Sequence, residues 1–284
     1  MSKEFWLVTT EHLKDRLWFK DEEDFKVGMN YVALLSATLP PKILAFILMS
    51  NHVHFVLECT ETDALSFVDS FKKLYSQYFS HKYKSRELLR KNKVDFRKLF
   101  NYDESLEKAI AYVQMNSVAA NICLHPTGYL WGTGNSFFND TPVRATRVGD
   151  MSGRKLAALI HSRLALPSEY LMDDGGYILP VSYIPVKFVE SVFKTPNRMG
   201  YFLRHSSKAS HRNGLPTFDD QLVASALSNL ITSIFSKSRL EDLNEGQKAE
   251  LLKQVRYRFS ADPNQISRVT GIPLEAVSKF LDMF

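Results

Sequence analysis

Apolar positions along the chain fall into runs of different spacing, and the spacing predicts the elements. Residues 5–10, FWLVTT, are β-branched and aromatic and predict a first strand. From Trp18 to Leu39, Phe25, Met29, Val32 and Leu35 recur at helical spacing, and Pro40-Pro41 ends that helix. KILAFILM and HVHFVLE flank Ser50-Asn51 and predict a hairpin with a two-residue turn. Thr62 or Asp63 is placed to cap a helix through FVDSFKKLYSQYFSHKY, and another helix is predicted from near Asp103 through LEKAIAYVQMNSVAAN. Strand, helix, hairpin and helices together predict the α+β class: an antiparallel sheet with helices packed on it.

The character changes near Gly149. GRKLAALIHSRLAL predicts a short helix, DDGGYILP a turn and a short strand, and Arg204 to Gly214 a polar, basic loop. From Asp219 the pattern is helical again. The expected division is a first domain over 1–148, a connecting region over 149–216 and a mostly helical domain over 217–284, and no internal repeat is present.

Composition adds bounds. With 284 residues, 45% hydrophobic and 24% charged, and only 12 Gly and 11 Pro, the chain is an ordinary folding sequence and neither fibrous nor disordered by default. The longest aliphatic and aromatic run, Ile43 to Met49, is far short of the roughly 20 residues of a membrane-spanning helix. The first residues lack the apolar core of a secretory signal. Cys59 and Cys123 read as reduced, buried thiols, which fits a cytoplasmic protein with no membrane partner.

The formal net charge is +5, but its placement says more. Lys72, Lys73, Lys82, Lys84, Arg86, Arg90, Lys91, Lys93, Arg97 and Lys98 crowd one stretch, interleaved with Tyr75, Tyr78, Phe79, Tyr83 and Phe96. Cations that take phosphates and rings that take bases would suit a single nucleic-acid strand. A solvated helix whose aromatics face the core explains the same composition.

His52 and His54 open a predicted strand. Residues i and i+2 point to one face, about 6–7 Å apart, so both imidazoles can converge on one cation while Val53 faces the core. Two buried structural histidines are the plain alternative. On the later helix, Tyr112 and Asn116 share a face at i and i+4, above a packing stripe of Leu106, Ala109, Ile110 and Val113. A phenol is a weak nucleophile near neutrality and becomes useful beside a metal that polarises the phosphate it attacks. Asn116 would complete the metal site, with Gln114 as second choice. Chemistry alone does not single out Tyr112 among twelve tyrosines.

MSNHVHFVL followed by YVQMNSVAAN resembles the single-tyrosine HUH transposases, most closely the REP-associated tyrosine transposase branch. LWF and DEEDF before the hairpin, the basic aromatic helix, and Tyr129-Leu130-Trp131 after the second motif are also similar, so the resemblance spans about residues 5–140. It implies a ferredoxin-like HUH catalytic domain with His52 and His54 as metal ligands, Tyr112 as nucleophile and Asn116 completing the site. It further implies cleavage and rejoining of single-stranded, hairpin-held DNA through a 5′-phosphotyrosine, with Mg2+ or Mn2+. The chain departs from the family in Ser50 and Ser117, where proline is usual, and in Trp131-Gly132-Thr133. The conserved bond energy of the covalent intermediate needs no nucleotide cofactor, and no phosphate-cradling P-loop motif is present. Zinc or nickel would also suit such donors. Relatives act as monomers or as homodimers.

Near the end, Asp262 can cap a helix opened by Pro263, Gly271 permits a turn, and Pro273 opens a second helix with Leu274, Val277 and Leu281 inward. This is a helix-turn-helix pattern, in which Arg268, Ser278 and Lys279 would face DNA, with Lys208, Arg212 and Asn213 as weaker phosphate contacts. A helical hairpin that only packs is the alternative. Three functions compete: a strand-transferring enzyme, a domesticated relative that regulates by binding DNA, and a metal-dependent hydrolase of RNA or nucleotides that uses water in place of Tyr112.

Overall fold

The computed structural model describes residues 4–85, 92–100, 103–141, 144–209 and 218–282. Its first eight elements follow the order β1 (Glu4–Thr10), α1 (Glu22–Thr38), β2 (Lys42–Met49), β3 (His52–Cys59), α2 (Glu61–Tyr83), β4 (Val94–Leu99), α3 (Ser105–Gln114) and α4 (Asn116–Ala119). The sheet order is β2-β3-β1-β4. β1 pairs antiparallel with both β3 and β4, and Ser50-Asn51 turns β2 into β3. That is the ferredoxin-like β-α-β-β-α-β arrangement, so the expected α+β class holds.

Burial follows from the pleat. β2 and β3 are buried almost along their whole length because both sheet faces are covered. Phe55 meets Phe67 and Phe71 of α2 on one face, at ring centroid distances of 5.3 and 5.7 Å. On the opposite face, His54 meets Tyr112 of α3. The outer edge of β2 is closed by residues 131–133: Leu48 N–H donates to the Trp131 carbonyl and Thr133 N–H to that of Phe46. A Cβ at Gly132 would lie 2.6 Å from the Phe46 carbonyl oxygen, so only glycine lets this segment reach the edge.

Three sequence expectations shift. α1 begins at Glu22, because the Trp18 and Phe19 amides are spent on the Ser50 carbonyl. The cap of α2 is Thr60, whose hydroxyl accepts from Asp63 N–H, since β3 ends at Cys59 immediately before it. The basic stretch contains β4, where Asp95, Arg97 and Leu99 alternate with Val94, Phe96 and Lys98.

Beyond the sheet come β5 (Ala145–Arg147), α5 (Gly153–Ile160), β6 (Leu171–Asp173), α6 (Val186–Phe193) and α7 (Pro196–Arg204). The buried Asn30 of α1 binds this region: its amide donates to the Leu159 and Gly176 carbonyls and accepts from Ile178 N–H. By contact density the chain forms two compact units. One comprises Met1–Glu11, Glu23–Met49 and Val53–Asn213, and the other His12–Glu22, Ser50–His52 and Gly214–Phe284.

The second unit is built on α8 (Asp220–Phe235), α9 (Glu245–Phe259), α10 (Pro263–Thr270) and α11 (Leu274–Asp282). Val223, Ile231, Leu251, Leu252, Val255, Ile266 and Val277 form its core. Asp219, Asn244 and Asp262 cap α8, α9 and α10, and Gly271 takes a left-handed φ of 73° between α10 and α11. Among the described residues no helix is long and apolar enough to cross a membrane.

Gly132→Ala is expected to destabilise the protein by about 1–3 kcal/mol, because the clash is with backbone and a neighbour cannot rotate away. Thermal denaturation should show a lower midpoint, whereas Gly153→Ala, with open space around it, should be nearly neutral.

Candidate active site

The pleat decides what can meet. His54 of β3, Thr9 of β1 and Asp95 of β4 lie in one cross-strand row. Val56, Leu7 and Arg97 form the next row on the same face. Helix α3 crosses this face and lays the Tyr112 ring edge-on against His54, with centroids 5.6 Å apart and planes at 88°.

Both strand imidazoles are buried, at 5% exposure for His52 and 0% for His54. Each is oriented through Nδ1. Asn51 Nδ2 donates to the Leu13 carbonyl at 2.7 Å, which turns its Oδ1 toward His52. His52 Nδ1 donates to that oxygen at 2.8 Å, so the lone pair sits on Nε2. His54 Nδ1 is 2.8 Å from the Thr9 hydroxyl, which leaves Nε2 as its ligand atom too. Such outer hydrogen bonds are how imidazole ligands are held for a metal.

A third histidine joins them. Ligand nitrogens of His12, His52 and His54 all lie within 4.8 Å of one another. The His12 ring stacks on His52 with centroids 3.5 Å apart, so it must turn out of the stack to ligate, and its exposure allows that. Three imidazoles suit Zn2+ best, since Mg2+ and Mn2+ both favour oxygen donors. Sequence spacing gave no sign of His12, which lies in a polar linker outside any periodic element.

The remaining expected residues are distributed as follows. Asn116 is buried, and its Nδ2 donates to the carbonyls of Tyr112 and Val113, leaving Oδ1 as the atom it could offer a metal. Helix α3 stops at Gln114, so Asn116 opens the next short helix and does not extend a single long one. Gln114 faces the Thr133 carbonyl. Tyr112 is half-buried, and its pKa is raised by that burial, lowered by Arg97 and raised again by Asp95. Lys208 places Nζ 5.1 Å from the Tyr112 ring centroid, and burial lowers its own pKa.

Several expected phosphate contacts are engaged inside the protein. Lys72 is 3% exposed and donates to the Asn92 carbonyl, so it is corrected to a structural lysine. Lys82 is held by Asp24, a fully buried carboxylate that also accepts from Tyr78 and Tyr83, while its own side chain stays partly exposed. Tyr75 and Phe79 of the same helix are fully buried, as the packing alternative required. Arg268 is bonded through two nitrogens to Asp220, at 3.1 and 3.3 Å, and Asp220 also accepts from the Ser50 hydroxyl at 2.6 Å. Its guanidinium is therefore committed within the helical unit. Lys73, Lys84 and Lys279 are exposed, and Ser278 is half-buried. Arg86, Arg212 and Asn213 lie outside the described residues.

Asn51→Ala should lower metal affinity about 10–100-fold, by calorimetric titration of Mn2+ or Zn2+, because His52 loses the partner that fixes its tautomer. His12→Ala should weaken the same binding, and an unchanged isotherm would remove His12 from the site.

No known family profile matches the chain, and no curated protein matches it. Among solved structures it is similar to a REP-associated tyrosine transposase bound to a REP hairpin, at 13% sequence identity and a TM-score of 0.39, over 48% of this chain and 79% of that one.

Proposed function

We propose that the chain is a metal-dependent DNA strand transferase that cleaves and rejoins single-stranded, hairpin-held DNA through Tyr112. The carrying observation is the phenol of Tyr112 set edge-on to His54, on the sheet face where the imidazoles are gathered. A bound divalent ion would polarise a non-bridging phosphate oxygen and offset its developing charge. His52 and His54 would hold that ion, with His12 and Asn116 Oδ1 as further donors.

The protein's own groups supply the rest. Half-burial of Tyr112 with its ring edge-on to His54 restricts the ring. Tyr112 Oη attacks phosphorus, the Oη–P bond forms, the P–O3′ bond breaks, and the proton the phenol gives up is taken by the departing 3′ oxygen. The products are a 5′-phosphotyrosine and a 3′ hydroxyl. Attack by a 3′ hydroxyl on the phosphotyrosine reverses these steps and reseals the strand. Arg97, whose charge acts on the phenol, and Lys208, over its ring, are the cations proposed to steady the phosphate.

Incubation with hairpin DNA bearing single-stranded flanks and Mn2+ should give a complex that survives denaturing electrophoresis. Tyr112→Phe should abolish it, and His52→Ala with His54→Ala should reduce it at least 100-fold. Cleavage by Tyr112→Phe at the wild-type rate would replace this reading with hydrolysis by water.

A further inference from the structure

Helix α7 and the turn after it lie outside residues 5–140, yet they form one wall of a cleft beside Tyr112. The cleft has a volume of about 640 Å3. Its floor is the sheet face at Leu7, Thr9 and Leu99, and Tyr112 borders it from α3. On the α7 side, Tyr201 and His205 stand one helical turn apart, with rings stacked at 4.1 Å and 28° between planes. His205 Nδ1 donates to the Tyr201 carbonyl at 2.8 Å, which fixes the imidazole in that stack. Both residues are exposed, Tyr201 by 51%, so the pair contributes little to the core.

We infer that this cleft seats one unpaired nucleotide next to the phosphate that Tyr112 attacks, with its base stacked on the Tyr201–His205 pair. The inference rests on the proposed role of Tyr112 and adds the subsite that positions its substrate. Size is consistent with a nucleotide: the volume lies within the roughly 300–1,000 Å3 of small-ligand sites. Chemistry agrees. Aromatic faces take any base by stacking, without reading its edge. Arg97 on the sheet side and Lys208 over the Tyr112 ring are cations for the adjoining phosphates. Of the acids at the rim, Glu104 is paired with Arg198 at 3.0 Å, which reduces repulsion of an anionic strand.

The test uses the full chain carrying Tyr112→Phe, which keeps the ring and removes the reacting oxygen. The probe is a hairpin oligonucleotide with 2-aminopurine placed at successive positions of its single-stranded flank. Fluorescence should be quenched on binding at one position only. Tyr201→Ala with His205→Ala should remove that quenching and weaken binding about tenfold, while Tyr201→Phe should retain both. Quenching and affinity unchanged in the double alanine variant, or no binding of the probe by Tyr112→Phe protein, would overturn the inference. Denaturing electrophoresis of protein with Tyr112 intact reads the chemistry separately. An adduct with no stacking defect sinks the subsite alone, and stacking with no adduct sinks the chemistry alone.

Discussion

The site depends on the strict alternation of a β-strand. His52 and His54 are two residues apart on β3, so the pleat turns both toward one face and sends Val53 and Phe55 into the core beneath. A shift of one residue in the pairing would exchange these sets, placing imidazoles in the apolar layer against α2 and phenylalanine beside Tyr112. Register therefore decides which side chains face Tyr112 as well as which ones pack. It is pinned by the Ser50-Asn51 turn, by the Val53 N–H bond to the Thr10 hydroxyl, and by the pairing of Thr9 with His54. Asn51 serves both purposes, since it closes the turn onto Leu13 and orients His52.

The elements that carry strong periodicity were legible in the chain: the first strand, the hairpin, α2 apart from its cap, and the terminal helices. β4 was not, because Lys93, Asp95, Arg97 and Lys98 mask a strand pattern with charge, and an edge strand needs few apolar positions. His52 and His54 were legible as neighbours on one face through their i, i+2 spacing, whereas Tyr112 stood out among twelve tyrosines only through the family resemblance. His12 was hidden because its proximity comes from tertiary folding of a linker. Lysine counts misled for a related reason. Charge in a sequence does not say which ammonium has an acceptor waiting, and Lys72 and Lys82 have Asn92 and Asp24. Arg268 likewise meets an acid 48 residues away in sequence.

These corrections redraw the basic surface. Tyr78, Lys82 and Tyr83 of α2 hold α1 and α2 together through Asp24, and Lys72 is spent on the Asn92 carbonyl. Lys73 and Lys84 remain exposed, and Arg97 of β4 and Lys208 after α7 are the cations that act on the phenol. The departures from the resembled family acquire physical content as well. Ser50 gives a hydroxyl to Asp220 where a proline could give none, and Gly132 permits the close approach that seals the β2 edge.

The most direct test of the central claim is anomalous diffraction from crystals of the protein equilibrated with Zn2+, recorded at the zinc absorption edge. The account predicts a peak about 2 Å from Nε2 of both His52 and His54, on the side of the sheet where Tyr112 lies. A peak bound elsewhere, or one held by the histidines while the Tyr112 hydroxyl points away from it, would contradict the account.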